Sequence, residues 1–137
     1  MKEDCIFCKI AKGEIHSATV YEDSHFTVIL DVNPATKGHC LIIPKEHFDN
    51  IYDLDGETAG KLFALATCIA RAMKDALKCD GLNLIQNNGE VAGQTVNHFH
   101  LHLIPRYEGD GLNLNWPQQE ISGEQLEEIR QSIKKSI

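Results

Sequence analysis

The sequence predicts an α+β fold: a five-stranded antiparallel sheet with one face covered by two main helices. Three observations predict it. Short β-friendly runs bounded by Gly, Pro, Asn and Asp follow one another at hairpin-like spacing. One long segment carries Leu62, Leu65, Ile69, Met73, Ala76 and Leu77 at three- and four-residue steps, the stripe of an amphipathic helix. A second helical segment near the end opens on Ser122, with Gln125 three residues on, a capping-box pattern.

Taken in order, residues 6–12 read as a short helix with Ile6, Phe7 and Ile10 on its apolar side. Residues 18–22 and 25–30 are strands joined by a tight turn at Asp23-Ser24. Asn33-Pro34 and Lys37-Gly38 punctuate the next connection, and the strand over 39–43 stops at Pro44. Asp55 is a good N-cap for the long helix, and Gly81 is its natural stop. Residues 82–86 form another strand, and a polar loop over 87–95 leads into a fifth, ended by Pro105. In the last helix, Leu126, Ile129 and Ile133 are expected to form a buried edge. No linker, repeat or low-complexity stretch divides the chain, so residues 1–137 read as a single domain.

The fifth strand carries His98, His100 and His102 at alternate positions, with Phe99, Leu101 and Leu103 between them. Alternate side chains of a strand share a face, so the three imidazoles line one surface while the apolar residues enter the core. At ~3.3 Å rise per residue, His98 and His102 stand ~13 Å apart. Metal–nitrogen bonds are about 2.0–2.1 Å, so the trio is not one mononuclear metal site. A helical reading, with His98 and His102 at i, i+4, is opposed by the β-friendly residues and the short run before proline. Distinct roles for three neutral or donating imidazoles fit better. A neutral imidazole can attack phosphorus when one ring nitrogen is free and the other donates to a fixed acceptor. The central His100 is then the nucleophile, and His102 a donor to phosphate or leaving group. Gln94 and Thr95 can supply neutral donors, and Gly89 and Gly93 let the loop backbone approach closely.

A net charge of −7 over 137 residues argues against a protein that coats nucleic acid. It leaves room for one small phosphate-bearing ligand. Nothing in the first residues resembles the apolar core of a signal peptide, and no stretch is apolar enough to span a bilayer. Five cysteines, an odd number, then fit reduced thiols and a cytoplasmic location. Cys40, Cys68 and Cys79 sit among apolar residues and read as core fillers. Cys5-x-x-Cys8 has the spacing of half a zinc site, a weak signal taken alone; two free thiols are the alternative.

The segment from Gly93 to Ile104, with His98-Phe99-His100-Leu101-His102 at its centre, resembles the signature of the histidine triad superfamily. Asp31, Asn33-Pro34, Gly38-His39, Ile43-Pro44-Lys45 and His47 are similar to that family's upstream block. The resemblance runs from about residue 5 to 106, leaving 107–137 as a C-terminal extension. It implies enzymes that cleave purine nucleotide derivatives at the α-phosphate through a nucleotidylated central histidine, here His100. It also implies a homodimer whose two sheets join, and no organic cofactor. By the same carry-over, Asp31 holds the ribose, while Ile6, Phe7, Ile10, Ile29, Val32 and Leu41 surround the base. Asn87, Gly93, Gln94, Thr95 and His102 meet phosphate, and His39 supports the triad. Some members, and the related galactose-1-phosphate uridylyltransferases, pair an N-terminal Cys-x-x-Cys with two histidines. That implies a structural zinc on Cys5, Cys8, His47 and His98.

The chain departs from the family in two places. Trp116 lies beyond a longer insertion than in the phosphoramidate-hydrolase branch, so it reads as a packing residue. Asn87 stands where the branch that cleaves dinucleoside polyphosphates usually has glutamine. Two other classes compete with the enzyme: a non-catalytic nucleotide-binding adaptor on the same fold, and a zinc-dependent hydrolase. The intact triad favours the first reading over the adaptor, and the ~13 Å span disfavours the zinc hydrolase.

Overall fold

A computed structural model of the protein describes residues 2–137. Its elements are α1 (Ile6–Ala11), β1 (Thr19–Glu22), β2 (Phe26–Leu30), β3 (Cys40–Pro44), α2 (Gly56–Leu77), β4 (Gly81–Ile85), β5 (Leu101–Arg106) and α3 (Gly123–Ser136). The strands form one antiparallel sheet in the order β1-β2-β3-β5-β4. Side chains alternate across it. Phe26, Val28, Cys40, Ile42, Leu101 and Leu103 pack against Leu62, Ala66 and Met73 of α2. Ile29, Leu41 and Ile43 belong to the other face, where they meet Cys5, Phe7 and Cys8 of the N-terminal segment. Both apolar faces of the sheet are therefore occupied, one by a long helix and one by a short one.

Asp55 caps α2 as its residue type predicts, its carboxylate accepting from the Thr58 N–H at 2.9 Å. The helix stops earlier than Gly81, however. It ends at Leu77, with Lys78 left-handed at φ 54°, and Gly81 instead opens β4 opposite Arg106. Leu77 fills the turn before β3: a Cβ on Gly38, at φ +93°, would lie 2.5 Å from Leu77 Cδ1. Glycine is required there for conformation and for space.

The histidine strand is shorter and later than its pattern suggests. Regular pairing starts at Leu101, so only His102 of the three histidines lies within β5. The chain over 98–100 runs instead beside the segment after β3, tied by the Phe99 N–H to the Phe48 carbonyl at 2.7 Å. Pro105 does not end the strand; it pairs with Leu82. Pairing with β3 ends at Leu103, so beyond it β5 has a strand on one side only, the edge-like setting that tolerates a proline. The Thr36 hydroxyl donates to the Pro105 carbonyl at 2.5 Å and ties the turn before His39 to this strand.

The end of the chain corrects two more expectations. The Ser122–Gln125 capping box forms, but α3 buries nothing, and Leu126, Ile129 and Ile133 are 55%, 48% and 59% exposed. The two sheet faces that could have received this stripe are already covered. Trp116 is exposed rather than packed. Of the three cysteines read as core fillers, Cys40 alone is buried; Cys68 is exposed on α2 and Cys79 half-buried beyond its end. No helix among the described residues is long and apolar enough to cross a membrane.

Candidate active site

Sheet register assembles the site. Ile29 pairs with Leu41, Leu41 with His102, and His102 with Ile85, a row across four strands. His100 lies beside this row, its ring centroid 4.9 Å from that of His102. On the other side of His102, His39 approaches with its Nε2 2.9 Å from His102 Nδ1. Asp31, at the end of β2, brings Oδ2 to 3.8 Å from His39 Nε2, while its Oδ1 accepts from the Asn33 N–H at 2.9 Å. Asp31, His39, His100 and His102 are thus brought together.

Hydrogen-bond partners fix which ring nitrogen carries each proton. His100 Nδ1 lies 2.7 Å from the His98 carbonyl, which can only accept. The proton is therefore on Nδ1, and Nε2 presents a lone pair. His39 Nδ1 accepts from the Ala35 N–H at 3.0 Å, which puts its proton on Nε2. That N–H donates to His102 Nδ1, so His102 carries its own proton on Nε2. Two neighbouring rings thus offer opposite functions, a lone pair on His100 and an N–H on His102. Burial pushes His39 and His100 below the ordinary imidazole value, and His102 down to about 4. All three are neutral near pH 7, the state in which these tautomers have meaning.

The loop over 86–95 is built to hold a shape. Gln94 is buried, and its side-chain amide donates to the Asp49 carbonyl at 2.6 Å and the Val96 carbonyl at 3.0 Å. Its Oε1 accepts from the Gly89 N–H at 2.8 Å. Those bonds commit Gln94 to the loop itself. Asn88 exchanges hydrogen bonds with Gln86 and accepts from the Ile51 N–H at 2.8 Å. Gly93, at φ +97°, sits close to Asn87, whose Nδ2 would be 3.6 Å from a Cβ there. Thr95 and Val32 are exposed, Ile6 is half exposed, Ile10 is partly buried, and Phe7, Ile29 and Leu41 are buried.

The second constellation joins Cys5, Cys8, His47 and His98, whose ligand atoms all lie within 4.8 Å of one another. Cys5 Sγ is 3.3 Å from His98 Nδ1, Cys8 Sγ is 3.3 Å from His47 Nδ1, and the two Nδ1 atoms are 3.1 Å apart. Here too the outer nitrogens decide. His98 Nε2 donates to the Pro44 carbonyl at 2.8 Å, and His47 Nε2 donates to Asp49 Oδ1 at 2.7 Å. Neither Nδ1 then carries a proton, so two lone pairs and two sulfurs point at one another. A tetrahedral zinc site, with bonds of about 2.0–2.1 Å to nitrogen and about 2.3 Å to sulfur, has edges of roughly 3.3–3.8 Å. The donor set and its spacing fit such an ion, and backbone N–H groups of Lys2 and Cys8 already point at the sulfurs.

Several supports were not visible in the sequence reading. Asp49 steers His47; a carboxylate two residues from a candidate ligand was the available signal. The Pro44 and His98 carbonyls, which set the tautomers of His98 and His100, carry no residue signature at all. Nor did any pattern bring Phe7 onto His100, where their ring centroids are 5.0 Å apart.

Comparison with known proteins agrees with this geometry. The model of the HIT domain matches residues 12–109. The chain is 47% identical over 138 residues to "Protein hit" of Bacillus subtilis, covering 98% of this chain and 95% of that one. It is 41% identical over 130 residues to an adenosine 5'-monophosphoramidase of Saccharomyces cerevisiae, covering 94% and 80%. A crystal structure of a HIT family protein from Bacillus anthracis superposes with a TM-score of 0.93 at 46% identity, covering 100% and 99%. A zinc-bound histidine triad protein from Mycobacterium smegmatis does so with a TM-score of 0.77 at 39% identity, covering 98% of each chain. With a five-stranded antiparallel sheet, the triad beside it and these likenesses, the chain belongs to the HIT, or histidine triad, family.

Proposed function

We propose that this protein is a nucleotide phosphohydrolase or nucleotidyltransferase that cleaves at the α-phosphate of purine nucleotide derivatives through a covalent intermediate on His100. The observation that carries the reading is the tautomer of His100, fixed by the His98 carbonyl, which leaves Nε2 as a free nucleophile. The Nε2 lone pair attacks the α-phosphorus, and the bond to the leaving group breaks with its electron pair, which takes a proton from solvent. The imidazolium so formed keeps its Nδ1–H on the His98 carbonyl, which stabilises the positive charge. His102 Nε2–H hydrogen-bonds to the phosphoryl oxygen, where negative charge grows. Water or another acceptor then displaces the nucleotide and restores the lone pair. Asp31 keeps one carboxylate oxygen for the ribose hydroxyls, and Ile29 and Leu41 floor the base site. Thr95 and Asn87 meet the phosphate, with Gln94 and Gly93 shaping the loop beneath. Phosphoramidates, adenylyl-sulfate and dinucleoside polyphosphates form the substrate panel, of which the yeast relative's name favours the first. Denaturing mass spectrometry of a quenched reaction is expected to find a nucleotidyl group on the peptide bearing His100; turnover with no adduct under single-turnover conditions overturns the covalent route.

Zinc held by Cys5, Cys8, His47 and His98 belongs to the same proposal. Four protein ligands leave no open position for substrate, so its role is structural rather than chemical.

A homodimer completes the reading. β4 is an edge strand carrying neither proline nor charge, the kind of edge that proteins otherwise protect. Leu84 on that strand and Phe63 on α2 are exposed apolar neighbours for a second copy. Sedimentation equilibrium at micromolar concentration is expected to give twice the 15.3 kDa chain mass. A single species of 15.3 kDa excludes the dimer.

A further inference from the structure

The imidazole of His100 has one hydrogen bond among the described residues, from Nδ1 to the His98 carbonyl, and one bond leaves the ring free to tilt about it. Packing must set the remaining angle. His102 stands on one side, at 4.9 Å and 65° between ring planes. Phe7 stands on another, at 5.0 Å and 82°, the edge-to-face arrangement that aromatic quadrupoles favour. The same phenyl ring also meets His98 edge-to-face, at 5.9 Å and 81°. Phe7 is only 8% exposed and lies between Cys5 and Cys8. Two of the supports of His100, the His98 carbonyl and the Phe7 ring, therefore belong to the segments that carry Cys5, Cys8 and His98.

We infer that Phe7 is a positioning residue for His100, and that the Cys5–Cys8–His47–His98 cluster, by clamping the segments that carry Phe7 and the His98 carbonyl, sets the attack angle of the nucleophile. This goes beyond a wall of the base site, and it rests on the covalent role proposed above for His100. A wall would act on affinity. A ring support acts on the fraction of bound substrate that sees Nε2 in line with phosphorus, and small misplacement of a reacting group can cost on the order of 10²-fold.

Phe7→Leu keeps the site apolar and leaves all four cluster residues in place, but removes the aromatic ring. With adenosine 5′-phosphoramidate as the probe, kcat is expected to fall tenfold or more while KM stays within a factor of a few. In histidine-¹⁵N-labelled protein without substrate, the Nδ1–H resonance of His100 is expected to broaden or vanish, with bound zinc per chain unchanged. If Phe7→Leu does not fold, Phe7→Met, with a longer side chain and a sulfur that suits aromatic contact, carries the same test. A rise in KM with unchanged kcat and an unchanged ring resonance overturns the inference and leaves Phe7 as a wall. Wild-type protein with no turnover on any nucleotide overturns the proposed function instead, while the ring resonance still decides whether Phe7 holds His100.

Discussion

His100→Ala is expected to lower turnover by roughly 10⁴–10⁶-fold, the loss seen when a covalent nucleophile is removed from other enzymes. The size follows from what the residue supplies. No neighbouring group replaces its lone pair: His102 offers an N–H toward the site, and both His39 ring nitrogens are occupied by Ala35 and His102. Affinity for nucleotide is expected to stay within a few-fold, because Asp31, Ile29 and Leu41 lie on β2, β3 and the turn between them rather than on the substituted side chain. His102→Ala, which removes one donor to the phosphoryl group, is expected to cost less, on the order of 10²–10³ in kcat. Steady-state kinetics and isothermal titration on the same preparations separate the two effects. A His100→Ala protein within tenfold of wild type removes the nucleophile from the scheme.

Replacing Cys5 and Cys8 together by serine is expected to abolish bound zinc and to lower the melting temperature by on the order of 10 °C, since a domain of this size moves ~3–5 °C per kcal/mol. A zinc ion held there would take up the two unprotonated Nδ1 atoms, 3.1 Å apart, which otherwise accept from the Cys5 and Cys8 thiols. With serine at both positions, the His98–Pro44 and His47–Asp49 bonds orient two nitrogens at a site that has lost two of its four ligands. Burial also pushes the Cys5 thiol up, so its thiolate depends on a nearby cation. The main core between sheet and α2 contains none of these residues, so the double variant is expected to fold, with its loss confined to the smaller cluster that holds Cys5 and Cys8. Elemental analysis and calorimetry test both halves. Wild-type protein purified under reducing conditions without stoichiometric zinc leaves the cysteines as thiols.

Much of this was legible in residue order. Alternation at 98–102 pointed to the candidate site, Asp55 and Ser122 announced their helices, and the spacing of Cys5 and Cys8 raised the metal question. What escaped has physical causes. Pro105 is tolerated in β5 because pairing with β3 ends before it, which depends on a partner distant in sequence. The stripe on α3 has the period of a buried helix, but period says nothing about whether a surface remains to receive it. The tautomers of four histidines are set by Ala35 N–H and by the carbonyls of Pro44 and His98, together with Asp49. Backbone groups are the same in every residue, so no motif encodes them. Gln94 was read as a donor to phosphate by type; its three bonds within the chain show how far the same amide can be committed to scaffolding.

The contact between Cys5 and His98 closes a separation of 93 residues, and that sets the order in which the molecule can form. Long loops close late, because their entropy must be lost before the contact repays it. The hairpin of β2 and β3 and the adjacent pair of β4 and β5 with α2 have what they need from nearer in the chain. Residues 5–8, by contrast, wait for a histidine 93 positions further along the chain. Substitutions in residues 5–8 are then expected to show small φ-values, speeding unfolding with the folding rate almost unchanged. An unfolding half-life, rather than a refolding rate, is where a weakened N-terminal clamp will be felt.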